Sequence, residues 1–432
     1  MTAFSGDGST EAQAPSSRTA LRARPRAVDY VLQDDPETLA PRRPRPPVPI
    51  DRDFVLDNLR KLIRIDSRNP GLEDGAPGEW EIARHVETQL ASLEGWRVEL
   101  HDLGERRANV IGVRPGTADG PSLMINVHLD TVGVAGMRHP FSGETRDGKV
   151  FGRGAQDTKG GMAAVLGAAR ALAEDAAALA GDLVLAFVAD EEHESIGTTD
   201  LVSRGVRPDA AVVIEPSDLD VCVAHRGFGV FRLRTRGRAA HGGRSDLGVD
   251  ANLHMGLALA ELDRLSERWG SKHRHPRLGP ATLHVPLIRG GRGLYMYADE
   301  CAADLECRTV PGQSASGVLG ELRAVFSGLA ESIDDFAGTV EPVLWRSPYE
   351  IDPDRPIVRA ALEAAGQVRG EPAALIAHPW WEDSGLLGDA GIDTVIIGPR
   401  GDGLHTDEEW VDADSVVALA EILRRTAVSY CA

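Results

Sequence analysis

The sequence predicts an α/β protein with a mixed, largely parallel sheet, into which a second domain of the α+β class is inserted. The chain has 432 residues, which is too long for one ordinary hydrophobic core and comfortable for two. Short apolar segments alternate with helical patterns from Asp51 to about Gly227, and the alternation resumes after Asp352. The intervening pattern is that of a compact α+β unit, which indicates an insertion.

Apolar spacing predicts the elements of the α/β part. Apolar residues three and four positions apart predict helices, and short apolar runs predict strands. The predicted helices cover 54–63, 80–93, 162–172 and 357–368, with a last helix from Asp412. The predicted strands cover 96–100, 109–113, 123–129, 183–189, 210–214 and 394–397.

The inserted part has the order β-α-β-β-α-β. Its predicted strands cover 228–235, 281–288, 301–308 and 340–345, and its predicted helices cover 251–269 and 318–336. We therefore divide the chain into an N-terminal extension (1–50), the first part of the α/β domain (51–226), the inserted domain (227–350) and the second part of the α/β domain (351–432).

The N-terminal extension is rich in proline and arginine. It holds eight of the 26 prolines of the chain, and its acidic and basic residues nearly cancel. Prolines and few large apolar residues leave little surface to bury, which favours a disordered or surface-draped extension. A docking arm is the alternative.

Composition excludes several classes of function. The 47 Lys and Arg residues against 66 Asp and Glu residues give a formal charge of -19, which disfavours binding to nucleic acid or to anionic membranes. No apolar stretch is long enough to span a bilayer, the first residues lack a secretory pattern, and the four cysteines are too few for a disulfide framework. We expect a cytoplasmic protein.

A histidine and a glycine-rich segment carry the first two chemical signals. His128 and Asp130 stand two positions apart at a strand end, so both side chains can face one side, as a metal-bound imidazole and its orienting carboxylate would. A buried His–Asp hydrogen bond is the alternative. Asp157 is the carboxylate within the glycine-rich segment 152–161, which lacks the spacing of a phosphate-binding loop. A plain turn is the alternative there.

Acidic residues carry the next signals. Asp190, Glu191 and Glu192 follow an apolar strand, and three adjacent acids repel one another unless a cation or proton compensates them. A solvated acidic turn is the alternative. Glu215 ends a strand just before the insertion, and His405 lies just after the last strand of the resumed domain. Excising the insertion brings these two residues into one sheet.

Together these side chains predict a metal centre. Two histidines and three carboxylates suit Zn²⁺, Co²⁺ or Mn²⁺ better than Ca²⁺. Five ligands exceed one tetrahedral site, which indicates two ions that share a bridging carboxylate, an arrangement found in hydrolases. The predicted ligands are His128, Asp157, Glu192, Glu215 and His405.

The motifs resemble those of the M20 metallopeptidases and deacylases, among them acetylornithine deacetylase, succinyl-diaminopimelate desuccinylase and the glutamate carboxypeptidases. The matching segments occur in family order at 128–131, 152–160, 190–192, 215–216 and 398–405. The resemblance covers the chain from about Asp51 to its end. It implies a phosphorylase/hydrolase-like catalytic domain and a ferredoxin-like lid and dimerisation domain, and hence a homodimer.

The resemblance also implies a role for each predicted ligand. Asp157 would bridge two divalent ions, most often zinc. His128 and Glu215 would complete one site, and Glu192 and His405 would complete the other. A cis peptide is implied after Asp157.

Three further roles are implied beyond the ligands. Glu191 would be the general base, and Asp130 would orient His128. His241, in the segment 240–243 of the lid, would reach the partner's active site and stabilise the oxyanion. A surface turn is the alternative for His241. Arg308 matches an arginine that can hold a substrate carboxylate, although a structural ion pair is nearly as well supported.

Two departures from the family pattern concern the substrate. Tyr295 stands where an asparagine is expected, and the segment 379–382, with Trp381, replaces small residues near Asp383. Because tyrosine and tryptophan bring large apolar faces with one polar tip, we expect a substrate pocket that favours an aromatic or otherwise bulky group. Core packing of Trp380 and Trp381 is the alternative.

The predicted function is metal-dependent hydrolysis of the amide bond of a small N-acyl amino acid or short peptide. The bridging water would attack the carbonyl while Glu191 takes its proton. A dipeptidase or carboxypeptidase is the main alternative, and hydrolytic deamination of an aromatic substrate is a more distant one. Outside catalysis, the alternative is a catalytically silent metal-binding homologue.

Overall fold

In the computed structural model, residues 48–134, 136–175 and 179–432 are described. Residues 1–47 of the predicted N-terminal extension lie outside the described residues, so its predicted character stays a prediction. Within the described ranges, no helix is long and apolar enough to cross a membrane.

The bounds of the helices and strands are as follows. The helices are α1 (Arg52–Arg64), α2 (Trp80–Ala91), α3 (Gly160–Glu174), α4 (Ile196–Ser203), α5 (Ala251–Lys272), α6 (Ala315–Ser332), α7 (Pro356–Arg369), α8 (Ser384–Asp389) and α9 (Ala413–Tyr430), and a π-helical turn (Ala155–Lys159) precedes α3. The strands are β1 (Arg97–Gly104), β2 (Arg107–Arg114), β3 (Leu123–His128), β4 (Glu144–Arg146), β5 (Lys149–Phe151), β6 (Leu183–Val188), β7 (Ala210–Val213), β8 (Val221–His225), β9 (Gly227–Arg236), β10 (Arg274–His275), β11 (Gly279–Pro280), β12 (Thr282–Gly290), β13 (Glu300–Thr309), β14 (Ala337–Arg346), β15 (Tyr349–Glu350), β16 (Leu375–His378), β17 (Asp393–Ile396), β18 (Gly401–Asp402) and β19 (Trp410–Asp412).

The largest sheet has the strand order β1-β2-β6-β3-β7-β17-β8-β15, with β16 paired to β8. Its centre, β6-β3-β7-β17, is parallel, and antiparallel strands flank it. This is the predicted mixed α/β sheet. The carboxyl ends of its central strands meet at one edge, where open α/β sheets bind their ligands.

Both faces of the central strands are buried. Leu123, Ile125 and Val127 of β3 belong to a core that helices α1, α3 and α9 cover, and Met124 belongs to a core on the opposite face. Side chains alternate along a strand, so His128 lies on the same face as Met124.

The second large sheet is antiparallel and has the order β12-β13-β9-β14. Helices α5 and α6 pack against it and share a separate core, which includes Phe231, Trp269 and Phe326. Chain order and sheet order together are those of the predicted ferredoxin-like unit. Asp250 caps α5 and Ser314 caps α6: each residue directly precedes its helix, and its side chain accepts a hydrogen bond from a backbone N–H of the first turn.

The structure differs from the sequence prediction in several places. The helix predicted at 318–336 ends at Ser332, because Ile333 is extended and Phe336 instead packs into the core beside the following strand. Strands β8 and β16 were not predicted, nor was the small sheet β18-β19-β5-β4. These strands are two to five residues long, too short for a periodic apolar signal.

Candidate metal centre

The predicted ligands lie around the carboxyl edge of the central sheet. His128 is the last residue of β3, Glu215 follows β7 by two positions, and Glu192 lies in the turn after β6. Because these three strands are parallel neighbours, their ends converge. Asp157 lies in the π-helical turn before α3, and His405 lies in the segment between β18 and β19.

Asp157 lies between the two histidines. Its Oδ1 atom is 2.9 Å from Nε2 of His128, and its Oδ2 atom is 3.3 Å from Nε2 of His405. The Asp157–Thr158 peptide bond is cis, as the resemblance implies. One carboxylate therefore presents a different oxygen to each histidine, which is the geometry of a bridging ligand.

The other two carboxylates each approach one histidine. Oε1 of Glu215 is 3.7 Å from Nε2 of His128, and Oε2 of Glu192 is 3.3 Å from Nε2 of His405. Glu215 therefore approaches His128, Glu192 approaches His405, and Asp157 approaches both histidines.

The carboxylates crowd one another electrostatically. Burial, together with the charge of Asp157, raises the pKa of Glu192 to about 7 and raises the pKa of Glu215 well above its ordinary value. Although burial opposes it, hydrogen bonding to His128 and His405 lowers the pKa of Asp157. The three carboxylates of the site therefore place more negative charge there than its two histidines can neutralise.

This donor set fits divalent metal ions. Ligand atoms of His128, Asp157 and Glu192 lie within 4.8 Å of one another, and so do those of His128, Glu191 and Glu215. The Oε1 atom of Glu192 is buried with no hydrogen-bond partner among the described residues. Imidazole nitrogens and carboxylate oxygens are the ligands of Zn²⁺, Co²⁺ and Mn²⁺, so the residues present match such ions.

Asp130 holds the turn that carries Glu191 and Glu192. Its Oδ1 atom accepts a hydrogen bond from the backbone N–H of Glu191 at 3.0 Å, and its Oδ2 atom accepts one from the N–H of Glu192 at 3.1 Å. Nδ1 of His128 lies 3.0 Å from the backbone carbonyl oxygen of Asp130 and 3.5 Å from its Oδ1 atom. The same carboxylate thus contacts the imidazole and fixes the backbone of two acidic residues.

Glu191 lies among buried acidic groups that favour the protonated form of its carboxyl. Burial, followed by the charge of Asp383, raises its pKa well above the ordinary value. A carboxyl whose proton affinity is raised in this way can take a proton from water and pass it on.

Glu409 is a site residue that the sequence analysis missed. Its Oε1 atom accepts hydrogen bonds from the backbone N–H groups of Gln156 and Asp157, at 2.9 and 3.1 Å, and its Oε2 atom accepts one from Gly154 and one from Arg153. It therefore fixes the turn that presents Asp157. The acidic run 407–409, which begins two positions after His405, was the available signal.

His241 and Tyr295 lie away from these ligands. His241 forms an isolated bridge with Met296, and the N–H of Gly242 donates to the carbonyl of Tyr295 at 2.8 Å, so the two predicted residues are neighbours. The Tyr295 side chain is 80% exposed, and His241 is exposed too. Among the described residues of this single chain, neither side chain forms a hydrogen bond with the five ligands.

Trp381 and Arg308 meet at one aromatic ring. The indole of Trp381 lies edge-on to Phe228 with ring centroids 6.3 Å apart, and the Arg308 guanidinium lies 5.3 Å from the centroid of the same phenylalanine. Arg308 also pairs with Glu306 at 2.7 Å, which is the structural ion pair considered above. Trp381 further contacts the ring of His225.

The two acids after Trp381 connect this cluster to the metal ligands. Glu382 and Asp383 are fully buried, and each has one carboxylate oxygen without a hydrogen-bond partner among the described residues. Asp383 contributes to the raised pKa of Glu191, and Glu382 contributes to that of Glu215. Glu382 and Asp383 therefore lie within electrostatic reach of Glu215 and Glu191.

Curated relatives include amide-cleaving enzymes. The chain is 30% identical to N-formyl-4-amino-5-aminomethyl-2-methylpyrimidine deformylase of Bacillus subtilis over 416 residues, which cover 88% of this chain and 95% of that protein. It is also 30% identical to N-acetyl-L-citrulline deacetylase of Xanthomonas campestris over 392 residues, which cover 86% of this chain and 96% of that protein.

Solved structures share the fold. The aminopeptidase PepT of Bacillus cereus superposes with a TM-score of 0.74 at 19% identity and covers 89% of this chain and 100% of its own. The YXEP protein of Bacillus subtilis, described as a dinuclear metal-binding peptidase, superposes with a TM-score of 0.67 at 18% identity and covers 87% of this chain and 97% of its own.

The family model for peptidase family M20/M25/M40 matches residues 124–429, a range that includes all five predicted ligands. The relatives with named activities remove acyl groups or cleave peptides. The chain therefore belongs to peptidase family M20/M25/M40 and is a metallohydrolase that acts on amide bonds of small acyl compounds or peptides.

Proposed function

We propose that this protein is a deacylase that removes a small acyl group, formyl in the first instance, from the amine of a compact heteroaromatic substrate. N-formyl-4-amino-5-aminomethyl-2-methylpyrimidine, the compound named for the Bacillus subtilis relative, is the first substrate to test. A second relative from Halalkalibacterium halodurans, 24% identical, carries the same name.

The position of Asp157 between His128 and His405 is the observation that supports the chemistry most directly. In this proposal Asp157 would be shared by two zinc ions, with cobalt or manganese as alternatives. His128 and Glu215 would hold one ion, and Glu192 and His405 would hold the other. Such ions polarise the amide carbonyl and lower the pKa of bound water toward neutrality.

The chain's own residues then position and move the proton. Glu191 accepts a proton from the attacking water and delivers it to the nitrogen of the departing amine. Asp130 keeps Glu191 in place through its backbone N–H and orients the His128 imidazole. Glu409 holds the backbone of Asp157.

The unit built from β9, β12, β13 and β14 serves as a lid and dimerisation domain in this proposal. His241 is exposed and forms no hydrogen bond with the metal ligands of its own chain, which supports a role for His241 of the partner subunit in stabilising the oxyanion. Exposed Leu287 and Ile288 on edge strand β12 offer apolar surface for such an interface.

The aromatic cluster supports the choice of amine. Trp381 makes edge-on contacts with Phe228 and His225, and the guanidiniums of Arg346 and Arg308 lie over the Trp381 and Phe228 rings. In this proposal an aminopyrimidine contacts this aromatic cluster while the carboxylate of Glu382 or Asp383 accepts its N–H groups. A linear amino-acid side chain would use less of this surface.

An N-acyl amino acid is the second candidate, favoured by the 30% identity to N-acetyl-L-citrulline deacetylase and by Arg308, which could bind an α-carboxylate. The pairing of Arg308 with Glu306 reduces the charge available for that purpose.

A turnover comparison tests the proposal. The zinc-loaded protein would be incubated with the N-formyl aminopyrimidine, N-acetyl-L-citrulline, N-acetylornithine, an N-succinyl amino acid and dipeptides, each with and without chelator, and the released amine would be measured. We expect the formyl compound to have the highest kcat/KM. A higher kcat/KM for an N-acyl amino acid would contradict the heteroaromatic assignment, and chelator-resistant turnover would contradict the metal-dependent one.

A further inference from the structure

A buried asparagine lies behind the metal ligands and touches none of them. Asn69, in the segment between α1 and α2, has 0% of its surface exposed. Its Nδ2 atom donates to Oδ2 of Asp130 at 2.7 Å and to Oδ1 of Asp190 at 2.8 Å. The amide nitrogen of Asn69 thus donates one hydrogen to each of two buried carboxylates, which follow different strands.

Each of those carboxylates fixes a different part of the active site. Asp130 contacts His128 and accepts the N–H groups of Glu191 and Glu192. Asp190 accepts the N–H groups of Glu194 and Ile196 at 3.2 and 3.4 Å, which closes the other end of the same turn. Asn69 is the side chain that joins the two.

Asn69 is itself held from the opposite side. Its Oδ1 atom accepts hydrogen bonds from Nη2 of Arg107 and from the backbone N–H of Gly71, both at 2.8 Å. Its own backbone N–H donates to the carbonyl of Thr131 at 2.9 Å, which ties the segment to the end of β3. All four hydrogen-bonding positions of the amide are therefore occupied.

Arg107 supplies the charge that such a cluster needs. Its Nη1 atom lies 2.5 Å from Oδ1 of Asp190, and the guanidinium is almost fully buried. Two carboxylates that share a donor would repel each other without a cation nearby, so Asn69 and Arg107 act together.

From this geometry we infer that Asn69 is a positioning residue for the metal centre: it locks Asp130 to Asp190, and thereby sets the orientation of His128 and of the turn that carries Glu191 and Glu192. The inference rests on the proposed metal-dependent function. Outer partners of metal ligands commonly change metal affinity by about 10- to 100-fold when they are removed.

The test compares Asn69→Ala and Asn69→Asp with the matched control Asn58→Ala. Asn58 is also a buried asparagine, but it lies on α1, and within the described part of the chain its side chain donates only to the carbonyl of Phe54, at 2.9 Å. Asn69→Asp keeps the oxygen that Arg107 and Gly71 contact and replaces the donor by an acceptor. Zinc affinity would be measured by competition with a chromophoric chelator, next to the melting temperature of the metal-free protein and kcat and KM of the zinc-saturated one.

We expect both Asn69 variants to bind zinc about 10- to 100-fold more weakly and to lose kcat with little change in KM. Asn58→Ala should lose stability only. Unchanged zinc affinity and kcat in the Asn69 variants would overturn the inference, even if their melting temperatures fall. Should neither variant fold, Arg107→Lys gives the same readout, because it keeps the charge beside Asp190 and removes the donor to Asn69. A wild-type protein that binds no zinc would contradict the proposed function instead.

Discussion

Nε2 of His405 lies 3.3 Å from Oδ2 of Asp157, although the two residues are far apart in the chain. Hydrogen bonding to Asp157 and Glu192 raises the pKa of His405 to about 10. The candidate metal centre therefore needs the last part of the chain to pack against the turn before α3.

Glu191→Gln should abolish turnover while the protein keeps its metal. The substitution preserves the shape of the side chain and removes the proton acceptor, so kcat should fall by about 10²- to 10⁴-fold. Glu194→Gln is the control, because Glu194 is an exposed acid on the same turn. Metal content and kcat would be measured on all three proteins; loss of metal in Glu191→Gln would make Glu191 a ligand instead.

Metal removal should lower both activity and stability. Ligands that bind only the folded state stabilise it by about 2.7 kcal/mol at 100 times their dissociation constant. The melting temperature should therefore fall with chelator and recover with Zn²⁺, Co²⁺ or Mn²⁺. Asp157→Asn should reduce the bound metal from two ions per chain to one or none, measured by elemental analysis. Two tightly bound ions in Asp157→Asn would contradict the bridging role.

Complementation between subunits should reveal the role of His241. His241→Ala and Glu191→Ala should each be inactive alone. After the two are unfolded, mixed and refolded, about a quarter of wild-type activity should return, because half of the dimers are mixed and each has one complete site. Each variant refolded by itself is the control. No recovery would mean that His241 does not act across the dimer.

Trp381→Ala should change the preference between substrates more than it changes the rate of the hydrolytic step. Loss of the indole beside Phe228 and His225 should lower kcat/KM for the N-formyl aminopyrimidine by about tenfold or more, since an aromatic contact is worth about 1 kcal/mol beyond its buried area. N-acetyl amino acids should be affected less. Trp380→Ala is the control on the neighbouring, more exposed indole. An equal loss for both substrates would indicate a packing role.

Glu79 should make stability depend on pH. It is fully buried, both of its carboxylate oxygens lack a hydrogen-bond partner among the described residues, and burial, followed by the charge of Asp130, raises its pKa to about 8. A raised carboxyl pKa contributes stability below the ordinary value of 4.5, and that contribution is lost as the pH rises toward 8.

Glu79→Gln should therefore become more stable relative to wild type as the pH rises from 5 to 8. The difference should grow by at most about 1.4 kcal/mol per pH unit. Urea unfolding in the presence of chelator would measure it, with Glu81→Gln, an exposed acid in the first turn of α2, as control. A pH-independent difference would show that Glu79 does not titrate in this range.

Local sequence predicted most of the elements and all five proposed ligands. Helices such as α1 and α9 show regular apolar spacing and an aspartate that caps the first turn, both of which are local features. These ligands could be proposed because strand ends in a parallel sheet converge, so a histidine or acid after an apolar strand already indicates its place. The helix predicted to continue to 336 was too long. Phe336 fitted the apolar pattern because it packs into the core of the inserted domain, although it lies beyond the end of the helix.

Contacts between distant segments decided the rest. Neither Glu409 nor Asn69 belongs to a motif that the sequence analysis recognised. Folding places Glu409 against the turn that carries Asp157, and it places Asn69 between Asp130 and Asp190. The shared contact of Trp381 and Arg308 with Phe228 likewise joins the loop after β16 to strands β9 and β13 of the second sheet. The sequence by itself determined which chemical groups are present and which elements carry them, since both depend on near neighbours in the chain. The distances between these groups, their burial and hence their pKa values were decided only by the tertiary structure, because each depends on contacts between residues that are far apart in the chain.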